Sequence, residues 1–482
     1  MAGLSLCIPL ILSYGFGEDQ RSHLAFGVPA ALAIVIWLAS RQARTDPKGS
    51  MGSFDAFAAV SLGWLTIVVL GALPYWITGT LPQPENAWFE SMSGFTTTGA
   101  SVIQPGQLEQ LDSSILLWRS LTQWLGGMGV VVLFVALLPS LGAGGSFLVQ
   151  LETPGPASRR VKPRIAECAR ILWKIYIVLT GSLVLILMLS GLGWFDAVCH
   201  AFSTVATGGF STKGDSIGHF RPLVQWEIMV FMLISGVNFS LLYLFFQRRP
   251  RQALQDPELR TYLTLVAVAI LVFATVLCIS YELPGEETSS AFDVFHDKVR
   301  HSAFTAISII TGSGFGTDDF DRWPDFCRVL IVVLMISGAC AGSTTGGMKL
   351  IRAILVFKYV RRELFRVGHP SAVRHIKLQK RTIAEPLVTA TMGFCAIYVV
   401  TWVFGVLVLE LLGVDSSTSI SASLASLANV GPGLGGVGPS KDYSELPTMA
   451  RVFLPWLMLL GRLEFYAVLM LFVPAMWRRP RR

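Results

Sequence analysis

Four short, half-polar segments, each ending in glycine and each set between two apolar runs, constrain this chain more than any other feature. Aligned on the glycine they read NAWFESMSGFTTTG (86–99), DAVCHAFSTVATGG (196–209), HSAFTAISIITGSG (301–314) and TSISASLASLANVG (418–431). The glycines are separated by 110, 105 and 117 residues, and the second and third segments continue alike as GFST and GFGT. Such register marks an internally repeated architecture. With about 13 residues before its glycine, each segment is too short to cross a bilayer, which takes roughly 20 helical residues. The pattern predicts a re-entrant unit, a half-helix that enters the membrane, stops near its middle and returns as extended chain. Irregular backbone at that depth is tolerated only where protein or a water-filled cavity surrounds it. Asn86, Asp196 and Thr418 are the expected helix N-caps.

The flanking runs fit membrane spans. About ten apolar runs recur, among them 171–192, 262–281 and 389–411. Only 14% of the residues are charged, where a soluble domain carries about 25%. Two of these runs, roughly 4–16 and 24–40, form an extra hairpin. The first lacks the basic leader and cleavage site of a signal peptide and is read as retained. The expected fold is an all-α integral membrane protein. It comprises an N-terminal two-helix hairpin over 1–50 and four helix–pore loop–helix repeats at 51–140, 165–250, 258–368 and 382–478.

A net charge of +7 invites a nucleic-acid reading, but the position of the charges argues against it. Lys and Arg gather at 41–48, 159–174, 248–260, 349–381 and 478–482, whereas 85–112, 281–321 and 415–445 are acidic or mixed. This is the positive-inside asymmetry of a multi-pass protein with both termini cytoplasmic. The basic linkers at 146–170 and 361–381 are expected to be amphipathic or helical surface segments. Seven scattered cysteines show neither a CxxC pair nor a metal spacing, so no disulfide framework or zinc site is expected. No nucleophile–base–orienter set emerges, and an enzyme is not expected.

The repeated glycines suit a cation pathway. A dehydrated cation needs oxygens in place of its water shell, and rings of main-chain carbonyls supply them without fixed charge. Glycine permits both the backbone conformation and the close approach to an axis. Gly99, Gly209, Gly314 and Gly431 are therefore the filter candidates, with Thr97, Thr98, Thr207, Gly208, Gly312, Ser313, Asn429 and Val430 as neighbours in the ligand rings. A half-helix entering N-terminus first also aims its partly negative C-terminal end at the membrane centre.

Two features are expected to gate such a pathway. The stretch GACAGSTTGG (338–347) interrupts an apolar run with small residues, and each glycine weakens a helix by up to about 1 kcal/mol. An unwound intramembrane loop is expected there, with Gly338, Gly342, Ser343, Thr344, Thr345, Gly346 and Gly347 forming the gate beside Lys349. Close packing of these small residues against another helix is the alternative. Arg462 lies within the last span, and an intramembrane arginine is a functional-site candidate. It is expected either to face the pathway as an electrostatic barrier or to form a structural pair, for which Glu464, two residues on, cannot share its helix face. Arg119, Gln123 and Lys349 lie nearer span ends, where snorkelling explains them as readily.

At these residues the chain resembles the membrane subunit of the Trk/Ktr/HKT potassium-transporter superfamily, of the bacterial TrkH/TrkG type. The matching stretches are SGFTTTGA (93–100), RSLTQWLGGMG (119–129), FSTVATGGFST (202–212), CAGSTTGGMKLIR (340–352), NVGPGLG (429–435) and GRLE (461–464), spread over nearly the whole chain. The resemblance implies a pseudo-fourfold, K⁺-channel-like arrangement, a homodimer, and K⁺ uptake across the bacterial cytoplasmic (inner) membrane. It also implies a cytosolic nucleotide-binding regulatory subunit, TrkA-like, on the basic face. Glycine at all four filter positions goes with K⁺ in the family and serine in the first goes with Na⁺, so Gly99 favours K⁺. The third filter, TGSGF (311–315), departs from the threonine run of many relatives, which bears on the fineness of K⁺ selection. The alternatives are a secondary transporter of another small solute, for which two repeats rather than four are usual, and a less selective Na⁺/K⁺ pathway.

Overall fold

The computed structural model describes residues 5–42, 53–137, 162–282, 290–378 and 381–474. Within them the chain is helical almost throughout, because a lipid-exposed backbone must satisfy its own amides. Two helices open it: α1 (Cys7–Gly15) and α2 (Gln20–Gln42). At nine residues α1 is too short to span, and it packs against α2. The pair is pinned to the rest by Glu18, whose carboxylate accepts the amide of Ser114 at 2.9 Å.

Then follow α3 (Ser53–Ile77), α4 (Pro84–Phe95) and α5 (Ser113–Leu137); α6 (Lys162–Leu189), α7 (Trp194–Val205), α8 (Pro222–Ser235) and α9 (Phe239–Phe246). A short turn of helix, α10 (Pro250–Leu254), leads to α11 (Pro257–Ser280), α12 (Ala291–Thr311), α13 (Asp325–Ser337) and α14 (Leu350–Gly368). The chain closes with α15 (Glu385–Leu411), α16 (Ser416–Ala428), α17 (Thr448–Arg462) and α18 (Tyr466–Leu469). Of the basic linkers, 146–161 lies outside the described residues. The second holds the end of α14 and an antiparallel pair of two-residue strands, Lys377–Leu378 and Arg381–Thr382, so it is only partly helical.

Five helices are long and apolar enough to cross a membrane, and two bent pairs raise the number to seven among the described residues. Only 22–33% of each of those five spans is buried. An apolar surface so large belongs against lipid, and the chain is a multi-pass membrane protein. The bends fall between α8 and α9 (104°) and between α17 and the helical turns that follow from Tyr466 (116°). The sequence pattern anticipates a break only at 338–347; these two were missed.

The short helices α4, α7 and α16, and the second half of α12, are buried among the long ones. Their starts differ from expectation. Proline opens α4 at Pro84, with Asn86 inside the first turn. Trp194 opens α7, and Asp196 instead receives the Thr212 hydroxyl at 2.6 Å. Asp415, three residues before Thr418, caps α16 by accepting the Thr418 amide at 3.0 Å. The third segment is no half-helix of 13 residues. Helix α12 runs 21 residues from a Ser290 cap. Two apolar cores result, one around α6 to α13 and one around α2 to α5 with α17.

Candidate functional site

The four buried helices end in one way. In α4 the amides of Thr97 and Thr98 donate to the carbonyls of Gly94 and Ser93, at 3.0 and 2.9 Å. The same two bonds recur after α7 (Thr207 to Thr204, Gly208 to Ser203), α12 (Gly312 to Ile309, Ser313 to Ser308) and α16 (Asn429 to Ser426, Val430 to Ala425). This is the Schellman termination, which sets one residue in the left-handed region. That residue is Thr97 (φ 53°), Thr207 (54°), Gly312 (64°) or Asn429 (54°). A β-branched threonine there is an outlier, and such strain collects at functional sites.

Two residues on, the backbone turns left-handed again, at Gly99 (φ 80°), Gly209 (83°), Gly314 (71°) and Gly431 (95°). The residues between them, Thr98, Gly208, Ser313 and Val430, do not. Alternating hand turns successive amides to one side of the chain and the carbonyls to the other. Sequence reasoning named Thr97, Thr207 and Asn429 beside the glycines but had no signal for their left-handed backbone.

The four strands then close on one another. A Cβ on Gly99 would lie 2.1 Å from the Gly208 carbonyl oxygen, one on Gly209 2.1 Å from that of Ser313, one on Gly314 2.0 Å from that of Val430, and one on Gly431 2.5 Å from that of Thr98. Each glycine thus abuts the next segment's carbonyl, first to second to third to fourth and back to the first. Thr97 Oγ1 and Asn429 Oδ1, at the inner end, are buried and have no hydrogen-bond partner among the described residues. Next to the ring, an open cavity of about 90 Å³ is lined in part by Gly99, Gly209, Gly314, Lys213, Lys441 and Tyr443.

Arg119 and Gln123 do not snorkel. Both are buried on α5 and grip the second strand. Arg119 Nε pairs with the Glu90 carboxylate at 2.9 Å, and its Nη1 donates to the Ser211 carbonyl at 3.0 Å. Glu90 also accepts the Val102 amide, at 3.0 Å. Gln123 Nε2 donates to the Gly208 carbonyl at 2.7 Å while its Oε1 accepts the Phe210 amide at 3.1 Å.

Below this ring lies the loop between α13 and α14. Gly338, Gly342, Gly347 and Lys349 take positive φ, which breaks the helix as expected. The loop is also closely packed: a Cβ on Gly346 would meet the Ala428 carbonyl at 2.6 Å. Thr344 Oγ1 donates to the Val205 carbonyl at 3.2 Å, the Gly342 carbonyl accepts the Phe239 amide at 3.0 Å, and the hydroxyls of Ser343 and Thr345 pair at 2.8 Å. Lys349 is buried, with Nζ donating to Thr345 Oγ1 at 3.1 Å. The Glu258 carboxylate accepts the amides of Ala341 (2.8 Å) and Ile351 (3.2 Å), tying the loop to α11.

Arg462 is 2% exposed and donates to the Thr344 carbonyl at 2.7 Å and the Gly126 carbonyl at 3.2 Å. It bridges the loop to α5. Glu464 serves another partner, a two-pronged contact with Arg352 at 2.5 and 3.2 Å. The residues named from the sequence thus fall into two adjoining groups, a ring of backbone oxygens and a loop tied to α7, α9 and α11.

Known proteins resemble this chain over nearly its whole length. The family model described as TrkH, cation transport protein, matches residues 26–479. The chain is 39% identical over 485 residues to the Trk system potassium uptake protein TrkH of Halomonas elongata, covering 99% of this chain and 97% of that one. With the Escherichia coli K12 protein of the same name the identity is 38% over 472 residues, 97% and 94% of the two chains. The crystal structure of the potassium transporter TrkH from Vibrio parahaemolyticus superposes with a TM-score of 0.87 at 34% identity, covering 99% of this chain and 96% of that one. These are transport proteins, not enzymes. The chain belongs to the TrkH family of cation transport proteins.

Proposed function

We propose that this protein carries K⁺ across the bacterial cytoplasmic membrane through the ring of main-chain oxygens at Gly99, Gly209, Gly314 and Gly431. The closed order of the ring carries the reading, since each glycine abuts the carbonyl of the next segment. Carbonyl rings replace a hydration shell while leaving the ion free to depart. The buried hydroxyl of Thr97 and amide oxygen of Asn429 extend the ligand set inward, and K⁺ is the transported substrate. The relatives' names as potassium uptake proteins support K⁺ as the ion.

On this reading the chain comprises four helix–pore loop–helix repeats in pseudo-fourfold, K⁺-channel-like order, with the ranges expected from the sequence. The loop at 338–347 with Lys349 is the gate, and Arg462 holds it through the Thr344 carbonyl. The basic segments face the cytosol with both termini, where a nucleotide-binding regulatory subunit docks on a homodimer.

The test is growth of a K⁺-uptake-deficient bacterium at low K⁺, with and without a co-expressed regulatory subunit, followed by ion flux in proteoliposomes. Rescue with K⁺ flux well above Na⁺ flux is expected. Failure to rescue under either condition, or equal Na⁺ flux, overturns the reading. The broken helices favour one rival, a secondary transporter with discontinuous spans. Transport of an organic solute in place of K⁺ would establish it.

A further inference from the structure

The four strands of the ring are not backed alike. Three ring residues carry a side chain of their own. Thr98 Oγ1 pairs with Thr96 Oγ1 at 2.8 Å and accepts Asn429 Nδ2 at 3.0 Å. Ser313 Oγ pairs with Thr311 Oγ1 at 2.8 Å, and Val430 buries its isopropyl group. The second strand has Ala206 and Gly208 at the corresponding places, so its ring position carries no side chain at all.

Gln123 occupies that space. A Cβ on Gly208 would lie 2.4 Å from Gln123 Cδ and 2.5 Å from its Oε1. The amide spans Gly209 from behind, donating to the carbonyl before it and accepting from the amide of Phe210 after it. Arg119, four residues earlier and so on the same face of α5, holds the Ser211 carbonyl and lies 4.2 Å over the Phe210 ring. Helix α5 thus grips the strand at residues 208, 210 and 211 and leaves no slack.

We propose that Gln123 is a selectivity-determining positioning residue, a strut from the first repeat that replaces the missing side chain of the second filter strand and fixes the Gly208 carbonyl in the ring. It need not touch the ion. The proposal deepens the filter reading and rests on it. It also explains the double glycine: Gly208 lacks a side chain because Gln123 has taken its room.

The test uses the full chain in proteoliposomes, with K⁺, Rb⁺ and Na⁺ flux and thermal stability measured on each variant. Gln123→Leu removes both hydrogen bonds, and the K⁺ over Na⁺ preference is expected to fall about fivefold, the factor one such bond supports. Gln123→Glu keeps the shape and the Phe210 contact and, once ionised at raised pH, cannot donate to Gly208, so the same loss is expected there in a protein that folds. The swap Gln123→Ala with Gly208→Ser restores a side chain from the strand itself and should recover selectivity relative to Gln123→Ala alone. Wild-type selectivity in Gln123→Leu, or in Gln123→Glu at raised pH, or a swap no better than Gln123→Ala, overturns the proposal. Failure of the filter reading looks different: Gly99→Ser would then leave selectivity intact as well.

Discussion

Replacing Gly99 by serine tests the ring most directly. The substitution places a Cβ 2.1 Å from the Gly208 carbonyl oxygen, where contacts below 3.0 Å do not persist, so the two strands must part by roughly 0.9 Å. Gly99 also sits at φ 80°, a conformation that costs a residue with a side chain roughly 1–2 kcal/mol. The Gly208 carbonyl cannot simply retreat, because Gln123 holds it at 2.7 Å. Breaking that bond adds about 1 kcal/mol. The strain of about 2–3 kcal/mol falls on the ring itself, and each 1.4 kcal/mol is about tenfold in an equilibrium. A drop of about tenfold or more in K⁺ over Na⁺ selectivity is expected, measured as the ratio of Rb⁺ to Na⁺ uptake by proteoliposomes. Gly63→Ser on α3 is the control, since nothing lies within 4 Å of a Cβ there. Unchanged selectivity in Gly99→Ser, or an equal loss in Gly63→Ser, would refute the steric argument.

Three further outcomes are expected. Arg462→Gln removes a charged donor from the Thr344 carbonyl, an interaction of about 1.5–3 kcal/mol, so basal flux without a partner should rise about tenfold or more; unaltered flux would leave the loop without its proposed tether. Arg119→Met strands the fully buried Glu90 carboxylate and should destabilise the protein by about 3–5 kcal/mol in detergent unfolding, with Arg119→Met/Glu90→Leu milder, and equal losses would count against a buried pair. Asp415, capping α16, has its carboxyl held below the usual range by hydrogen bonds from Thr418. Its contribution is present above about pH 4 and lost as pH falls through the depressed folded-state value. Asp415→Ala should therefore cost about 1 kcal/mol near neutrality and progressively less in acid; a gap that persists at low pH would point to another cause.

Much of the architecture is legible in one dimension because it rests on local chemistry. Apolar length marks the spans, charge marks their sides, and the half-polar segments ending in Gly99, Gly209, Gly314 and Gly431 stand out against lipid-compatible sequence. The break at 338–347 shows for the same reason, since four of its residues are glycine. The breaks after Ser235 and Arg462 do not. In the second, Glu464 and Phe465 carry the left-handed turns (φ 54° and 60°), and neither residue type announces one.

What the tertiary structure alone decides is who meets whom. The chain by itself marks four half-polar segments and the glycines that follow their helices, because helix termination depends on a few neighbouring residues. It does not determine that the units close in cyclic order, that Arg119 and Gln123 turn inward to hold residues 92 and 85 positions away, or that Arg462 answers to Thr344 rather than to its neighbour Glu464. A polar side chain in lipid must find a partner. Sequence records the need, and only packing of distant helices supplies the partner.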